Sequence, residues 1–221
     1  MNLDFSQIVP YIPFILEGIW VTLSFVVISI IIGFILGGFI AIIKISKIKI
    51  LVFLADFYTS IFRGTPLILQ LMLFHYAFPQ LTNGAWVPSA LFTAVLTFSL
   101  NSSAYVSEII RAGIQAVDKG QKEAAMALGI PYRPMMMKII LPQAIKNMLP
   151  ALMNEFITLT KESAIVSTIS YLDLMRRAEV VGADTFHNIE PLLFVGAIYY
   201  CMVMVLTFIG KLIERRLRQS D

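Results

Sequence analysis

Charge is what this sequence has least of. Only 14% of its 221 residues are Asp, Glu, Lys or Arg, against 58% that are hydrophobic, whereas a soluble domain carries roughly 25% charged residues. The mean hydropathy of +0.81 likewise points to lipid, not water, as the solvent. Cysteine is nearly absent. The single Cys201 excludes an intramolecular disulfide framework and a multi-cysteine metal site, and its apolar neighbours make it a packing residue. The two histidines, His75 and His187, stand far apart without metal-ligand spacing, so no metal chemistry is expected. A Gly-x-x-x-x-Gly-Lys-Ser/Thr phosphate loop is also missing, so the chain cannot hydrolyse ATP alone. Tandem repeats and low-complexity segments are not apparent.

What is present is a series of apolar runs, each near the ~20 residues a helix needs to cross a hydrocarbon core of about 30 Å. They cover about 19–43, 50–78, 87–110, 148–170 and 191–212. The second is interrupted by Arg63-Gly64-Thr65-Pro66. These runs predict an all-α membrane protein with five transmembrane helices in a single domain, 1–221. Met1–Gly18 lacks a basic n-region and carries Asp4 and Glu17, so it is expected to stay attached rather than be cleaved. One side of the predicted topology receives Lys44, Lys47 and Lys49, then Arg111, Lys119, Lys122, Arg133, Lys138 and Lys146, then Lys211, Arg215, Arg216 and Arg218. The other receives Arg176 and Arg177 among Asp173, Glu179, Asp184 and Glu190. Cytoplasmic loops are enriched in Lys and Arg, which places the N-terminus outside and the C-terminus in the cytoplasm. The net charge of +3 is explained by this distribution and calls for no nucleic acid.

Residues 117–142 form the most informative loop. Asp118 followed by Gln121 reads as a capping box opening a helix that Gly129 ends. Pro131 and Pro134 allow a second short helix, which Pro142 is expected to break before the fourth span. Ala124, Ala125 and Ala127 stand where a solvated helix usually carries long side chains, and small residues let another protein's surface come close; a good helix former beside a bilayer is the plainer reading.

Glu123-Ala124-Ala125, with Gly129 four residues later and Ile139-Ile-Leu141-Pro142 closing the pattern, resembles the EAA loop of bacterial ABC importer permeases. Phe62-Arg63-Gly64-Thr65-Pro66-Leu67, Asn101-Ser102-Ser103-Ala104-Tyr105 with Glu108 to Gly113, Asn154-Glu155-Phe156 and Lys161-Glu162-Ser163 resemble the polar amino acid branch of that family, the histidine, glutamine and arginine type. The resemblance covers essentially the whole chain. It implies a type I importer fold with a five-helix core in the bacterial inner membrane. It further implies a second permease (identical or homologous), two ATP-binding subunits that hold ATP and Mg, and an extracytoplasmic solute-binding protein. Glu123, Ala124, Ala125, Gly129, Leu141 and Pro142 are then the residues that couple to the ATPase. This chain itself is not an enzyme and carries no cofactor.

Ionisable groups inside spans are costly and by default face a cavity or the protein interior. At about 1.5 Å per residue, Arg63, Asn101 and Glu162 reach a similar mid-bilayer depth on three spans. Asn101, Tyr105 and Glu108 share one helix face, as do Glu155, Thr158 and Glu162. Gly64-Thr65-Pro66 opens the second helix and frees carbonyls that a solute or a neighbouring helix must satisfy. The candidates for solute contact are Arg63, Thr65, Asn101, Tyr105, Glu155 and Glu162, with scaffold hydrogen bonding as the competing role. Glu108 and Arg111 are expected to pair, Asp56 to be solvated or to pair with a helix, and Lys161 to bridge to another helix or serve the solute. Glu155 and Glu162 suit the ammonium of any amino acid, or a cationic side chain. That favours arginine or another basic amino acid, with glutamine close behind.

Two other classes compete. An ion-driven secondary transporter would show more spans and internal repeats and has no use for a coupling loop. An intramembrane enzyme would need metal ligands or a His or Cys constellation that the chain lacks. The same importer class carrying another small solute, an osmolyte or a peptide, is the remaining alternative.

Overall fold

The computed structural model describes residues 3–218, and every regular element among them is helical. A 3-10 turn, Phe5–Tyr11, is capped by Asp4, whose carboxylate accepts from Ser6 N at 3.0 Å. It leads into α1, Ile12–Lys44, with Pro13 in the first turn, where the missing N–H costs nothing. The second apolar run resolves into α2, Lys49–Gly64, and α3, Leu67–Leu81. Between them Pro66 cannot donate, and it holds Thr65 extended at φ −119° and ψ 147°. Ser89 caps α4, Ala90–Gln115, accepting from Phe92 N at 3.2 Å. α1, together with its 3-10 turn, and the C-terminal helix α9, Ile189–Arg218, are each long and apolar enough to cross a membrane unaided.

The loop helix α5, Lys119–Ala127, begins and ends as the sequence predicts, but its capping box is half made. Asp118 accepts from Gly120 N at 2.7 Å, while Gln121 Oε1 faces Gln143 at 3.5 Å instead of turning back to the cap. At the C-terminus Gly129 adopts φ +70°. Its N–H reaches Met126 O, and Ile130 N–H reaches Ala125 O, both at 3.0 Å. This is the paired closure of a Schellman motif, which needs a left-handed residue at that position.

Pro142 does not break the second loop helix. α6, Tyr132–Met135, runs through a π turn, Met136–Ile140, directly into α7, Leu141–Glu162. The wider turn sends Leu141 N–H back to Met136 O, and widening the ladder is one way a helix absorbs a proline ring that would otherwise meet the preceding turn. A 3-10 segment, Ser163–Ile169, then extends the run as far as Ser170, at φ +60°.

The sequence reading assigned no element to 171–190, between the fourth and fifth spans, yet α8, Leu174–Thr185, lies there. Asp173 is its cap, accepting from Arg176 N at 2.8 Å, and Leu174, Ala178 and Val181 form its buried face. Arg177 fastens α8 to α1 by donating to Phe14 O at 2.6 Å and Glu17 Oε2 at 2.8 Å.

α4 is the central helix, packed on α1 along most of its length and on α7, α3 and α2 elsewhere. The closeness to α1 comes from a stripe of small residues, Ser29, Gly33, Gly37 and Ala41, buried at intervals of one turn. A β-carbon on Gly33 would stand 2.8 Å from Ser102 Cβ, and one on Gly37 would stand 2.8 Å from Val106 Cβ and 2.9 Å from Ser103 O. The hydroxyls of Ser29 and Ser99 are buried along this seam without hydrogen-bond partners, so these two serines contribute there by being small. Gly37→Leu is accordingly expected to force the helices apart at a cost of about 3 kcal/mol or more. Gly38→Leu, one position away in open space, should be tolerated. Thermal unfolding of the two variants in detergent, with folded yield, checks this; equal losses would refute the close-packing account.

Candidate functional site

The site starts from a proton that Pro66 does not have. In a continuous helix the Phe62 carbonyl would accept from residue 66, and here that residue is proline. Two side chains take over. Asn101 Nδ2 on α4 donates to Phe62 O at 3.0 Å, and Gln70 Nε2 on α3 donates to it at 2.9 Å. Gln70 Nε2 also reaches Thr65 O at 3.1 Å and Thr65 Oγ1 at 2.9 Å, while Gln70 Oε1 accepts from Asn101 Nδ2 at 3.1 Å. The Thr65 hydroxyl donates to Ile61 O at 2.8 Å. The carbonyls freed at the break are thus held by neighbouring helices and side chains.

Beside this break lies a cavity of about 360 Å³ lined by Thr65, Pro66, Leu67, Asn101, Tyr105, Glu155, Thr158 and Glu162. Small-molecule sites occupy roughly 300–1,000 Å³. Five of the six residues predicted to meet a solute, Thr65, Asn101, Tyr105, Glu155 and Glu162, therefore share one chamber, and α7 supplies two carboxylates from a single stripe. A roomier groove of about 500 Å³ between α1 and α9 is lined by Ile19, Leu23, Phe194, Cys201 and other residues without a charged side chain. It offers nothing to orient a polar solute.

Arg63 does not line the chamber. Its guanidinium stands 5.3 Å from the centre of the Tyr105 ring and 4.0 Å from Glu108 Oε2, so it backs the wall that Tyr105 faces. Glu108 is the hub of a larger cluster. Arg111 donates to it at 2.6 Å and 3.1 Å, which is the expected pairing, and Lys44 from α1 also bonds it. Lys44 further reaches Asp56 at 2.9 Å and Thr59 Oγ1 at 2.7 Å, with its side chain only 2% exposed. Arg111 continues to Gln115 Oε1 at 2.8 Å, at the end of α4 nearest the loop. Lys161 is exposed and lies outside the cavity lining.

The loop residues divide by exposure. Glu123, Ala124, Gly129 and Pro142 are exposed, Leu141 is half-buried, and Ala125 is buried in a small core with Val117, Met135, Ile140, Ala144 and Met148. Ala125 therefore supports the helix from beneath, while Ala124 and Glu123 face outward. Among the described residues no cluster of His, Cys, Asp and Glu has the geometry for a metal.

Sequence reasoning missed two side chains. Gln70 stands alone among Leu67, Ile68, Leu69, Leu71 and Met72, four residues after the proline it compensates, and an isolated polar group in such a run was the available signal. Lys44 was read as part of the basic cluster that marks the cytoplasmic side, and nothing in its neighbours distinguishes a buried lysine from an exposed one.

Comparisons with known proteins identify the family. The family model described as "Binding-protein-dependent transport system inner membrane component" matches residues 29–219. The arginine transport system permease protein ArtQ of Bacillus subtilis (strain 168) is 58% identical over 221 residues, covering 100% of both chains. A putative glutamine transport system permease protein GlnP of Rickettsia felis is 49% identical over 208 residues, 94% of each chain. A crystal structure of an amino acid ABC transporter with histidines superposes with a TM-score of 0.93 at 44% identity, covering 98% of this chain and 100% of that one. The MetNI methionine ABC transporter, at 19% identity and a TM-score of 0.80 over 95% of this chain and 98% of its own, shares the fold.

The Lys44 cluster makes a direct prediction. Lys44→Met leaves Thr59 without its donor and Glu108 with Arg111 and the more distant Arg63, and, with Asp56 largely exposed, should cost about 1–3 kcal/mol of stability. Lys47→Met, three residues further on and exposed, should be nearly silent. Denaturation of both variants in the same detergent measures the difference, and matching stabilities would show that the buried cluster carries no energy.

Proposed function

The chain belongs to the binding-protein-dependent transport system inner membrane components, and from that premise we propose how it works as the permease of an amino acid ABC importer. α1, the broken pair α2 and α3, α4, α7 and α9 are five membrane crossings in a multi-pass inner-membrane protein. The N-terminus is outside and the C-terminus cytoplasmic, a reading supported by the Lys and Arg distribution. α5 then lies in the cytoplasm and α8 on the opposite side. The permease pairs with a second copy or a homologue, and a solute-binding protein delivers to it from outside. Two ATP-binding subunits, which hold ATP and Mg, receive the outward-facing Glu123 and Ala124 of α5. Gly129, Leu141 and Pro142 fix that helix on its stem, and Ala125 supports it. Hydrolysis belongs to those subunits, and this chain forms the translocation pathway by alternating access.

The 360 Å³ cavity is the solute site. The observation that carries this is its wall: Glu155 and Glu162 on α7 face Thr65, Asn101 and Tyr105 across a chamber of amino-acid size, with Arg63 acting through the Tyr105 ring. The carboxylates take the ammonium of the solute and favour a cationic side chain. Arginine or another basic amino acid is therefore the preferred cargo, and glutamine the neutral alternative. The names of the relatives from Bacillus and Rickettsia span the same pair.

Glu162→Gln tests the site. Loss of one charge-assisted bond is worth about 1.5–3 kcal/mol, so uptake affinity should fall roughly ten- to a hundredfold while folded complex and basal ATPase activity persist. Loss of folded complex, with normal affinity in whatever assembles, would make Glu162 structural. For the topology, cysteines placed near Asn83 and Thr185 in a chain lacking Cys201 should react with a membrane-impermeant reagent in sealed cells. One at Lys119 should not, and its labelling would invert the orientation.

A further inference from the structure

An amide side chain has a donating and an accepting end, and which end meets a ligand depends on what holds the other. In Asn101 the held end is the nitrogen. Nδ2 spends both hydrogens, on Phe62 O at 3.0 Å and on Gln70 Oε1 at 3.1 Å. Gln70 cannot reverse either. Its Nε2 faces Phe62 O at 2.9 Å and Thr65 O at 3.1 Å, backbone carbonyls that only accept. Turning either amide over would set oxygen against oxygen. The two amides are therefore polarised in series from a helix break that Pro66 makes permanent, and the series ends on Asn101 Oδ1. Among the described residues that oxygen accepts no hydrogen bond. It is also not one of the buried polar atoms left without a partner, so it is open to the cavity that Asn101 lines.

We infer that Gln70, which does not itself line the cavity, is a positioning residue that sets solute specificity by holding Asn101 with its oxygen outward. The inference rests on the reading of this cavity as the solute site. The wall then accepts far more than it donates. Asn101 Oδ1 and the carboxylates of Glu155 and Glu162 are acceptors, and the Thr65 hydroxyl has already spent its proton on Ile61 O. Among the lining side chains only the hydroxyls of Tyr105 and Thr158 bring protons. Such a wall fits a side chain that only donates, a guanidinium or an ammonium, and opposes one that presents a carbonyl or carboxylate oxygen.

Arginine and citrulline are the probes, because they share one shape and differ in whether the end group is a guanidinium or a urea with a carbonyl oxygen. Binding of each, radiolabelled, is measured on the purified permease–ATPase complex without solute-binding protein, so that upstream selection does not enter. The wild type is expected to prefer arginine by about tenfold or more, the scale of one charge-assisted bond. Gln70→Met leaves Asn101 Nδ2 held by Phe62 O alone, so the side chain can pivot on that one bond and bring its second N–H toward the cavity, and the ratio should fall severalfold, largely through tighter citrulline binding. An unchanged ratio in folded Gln70→Met, or proportional loss of both probes, would overturn the role given to Gln70. If Gln70→Met does not assemble, Asn101→Ala carries the test. It should weaken arginine and spare citrulline, and equal weakening of both would overturn the proposal. A wild type that binds both probes equally refutes the specificity claim alone, whereas one that binds neither refutes the cavity as the solute site.

Discussion

The Phe62 carbonyl loses its helical donor because residue 66 is proline, and a bare carbonyl buried away from water costs on the order of several kcal/mol. That debt organises the site. It draws Asn101 from α4 and Gln70 from α3 to one point, fixes the angle between α2 and α3, and brings Thr65 opposite the stripe of α7 that bears Glu155 and Glu162. A continuous second span would satisfy its own backbone and leave no reason for polar groups to converge there. The seam of small residues between α1 and α4 serves the same end, because it seats the central helix closely enough for its polar face to meet the break.

Much of this was legible in the sequence, and what escaped did so for identifiable reasons. The helical character of the chain, the break at Gly64-Thr65-Pro66 and the Asp118 cap of α5 follow from local chemistry, and the structure has each of them. The stripe Glu155, Thr158 and Glu162 was visible because helical periodicity alone aligns those positions. Arg63 was drawn toward the solute because depth along a span is readable while side-chain direction is not, and its guanidinium lies behind Tyr105 instead. Pro142 was read as a helix break because a proline's effect was judged within an α-helical ladder, and a π turn changes that ladder. α8 was passed over because its Leu174, Ala178 and Val181 stripe is short and lies amid charge. Its stability comes from Arg177 contacts 160 or more residues away along the chain.

The charge cluster around Glu108 joins what the sequence presented as separate features. The basic residue that closes α1, the carboxylate of α2 and the acid–base pair of α4 are one network, joined through Glu108 and the buried Lys44. Arg63 reaches it from the cavity side and Gln115 from the loop side. A buried ion cluster seldom adds net stability over an apolar replacement of the same shape. What it does provide is a fixed register between α1, α2 and α4 at the level between the cavity and the 117–142 loop.

The uninterrupted path from α6 through the π turn into α7 has a mechanical meaning. From Tyr132 to Glu162 the backbone forms a rod roughly 45 Å long by the helical rise, with the loop's small core at one end and the cavity's carboxylates at the other. Had Pro142 severed it, a push on the loop would be spent in bending a joint. As built, thrust or twist delivered at the foot must travel the length of the shaft or be absorbed at two soft places, the widened turn at Met136–Ile140 and the missing rung at Pro150. Any bending of this path is therefore taken up first at those two places.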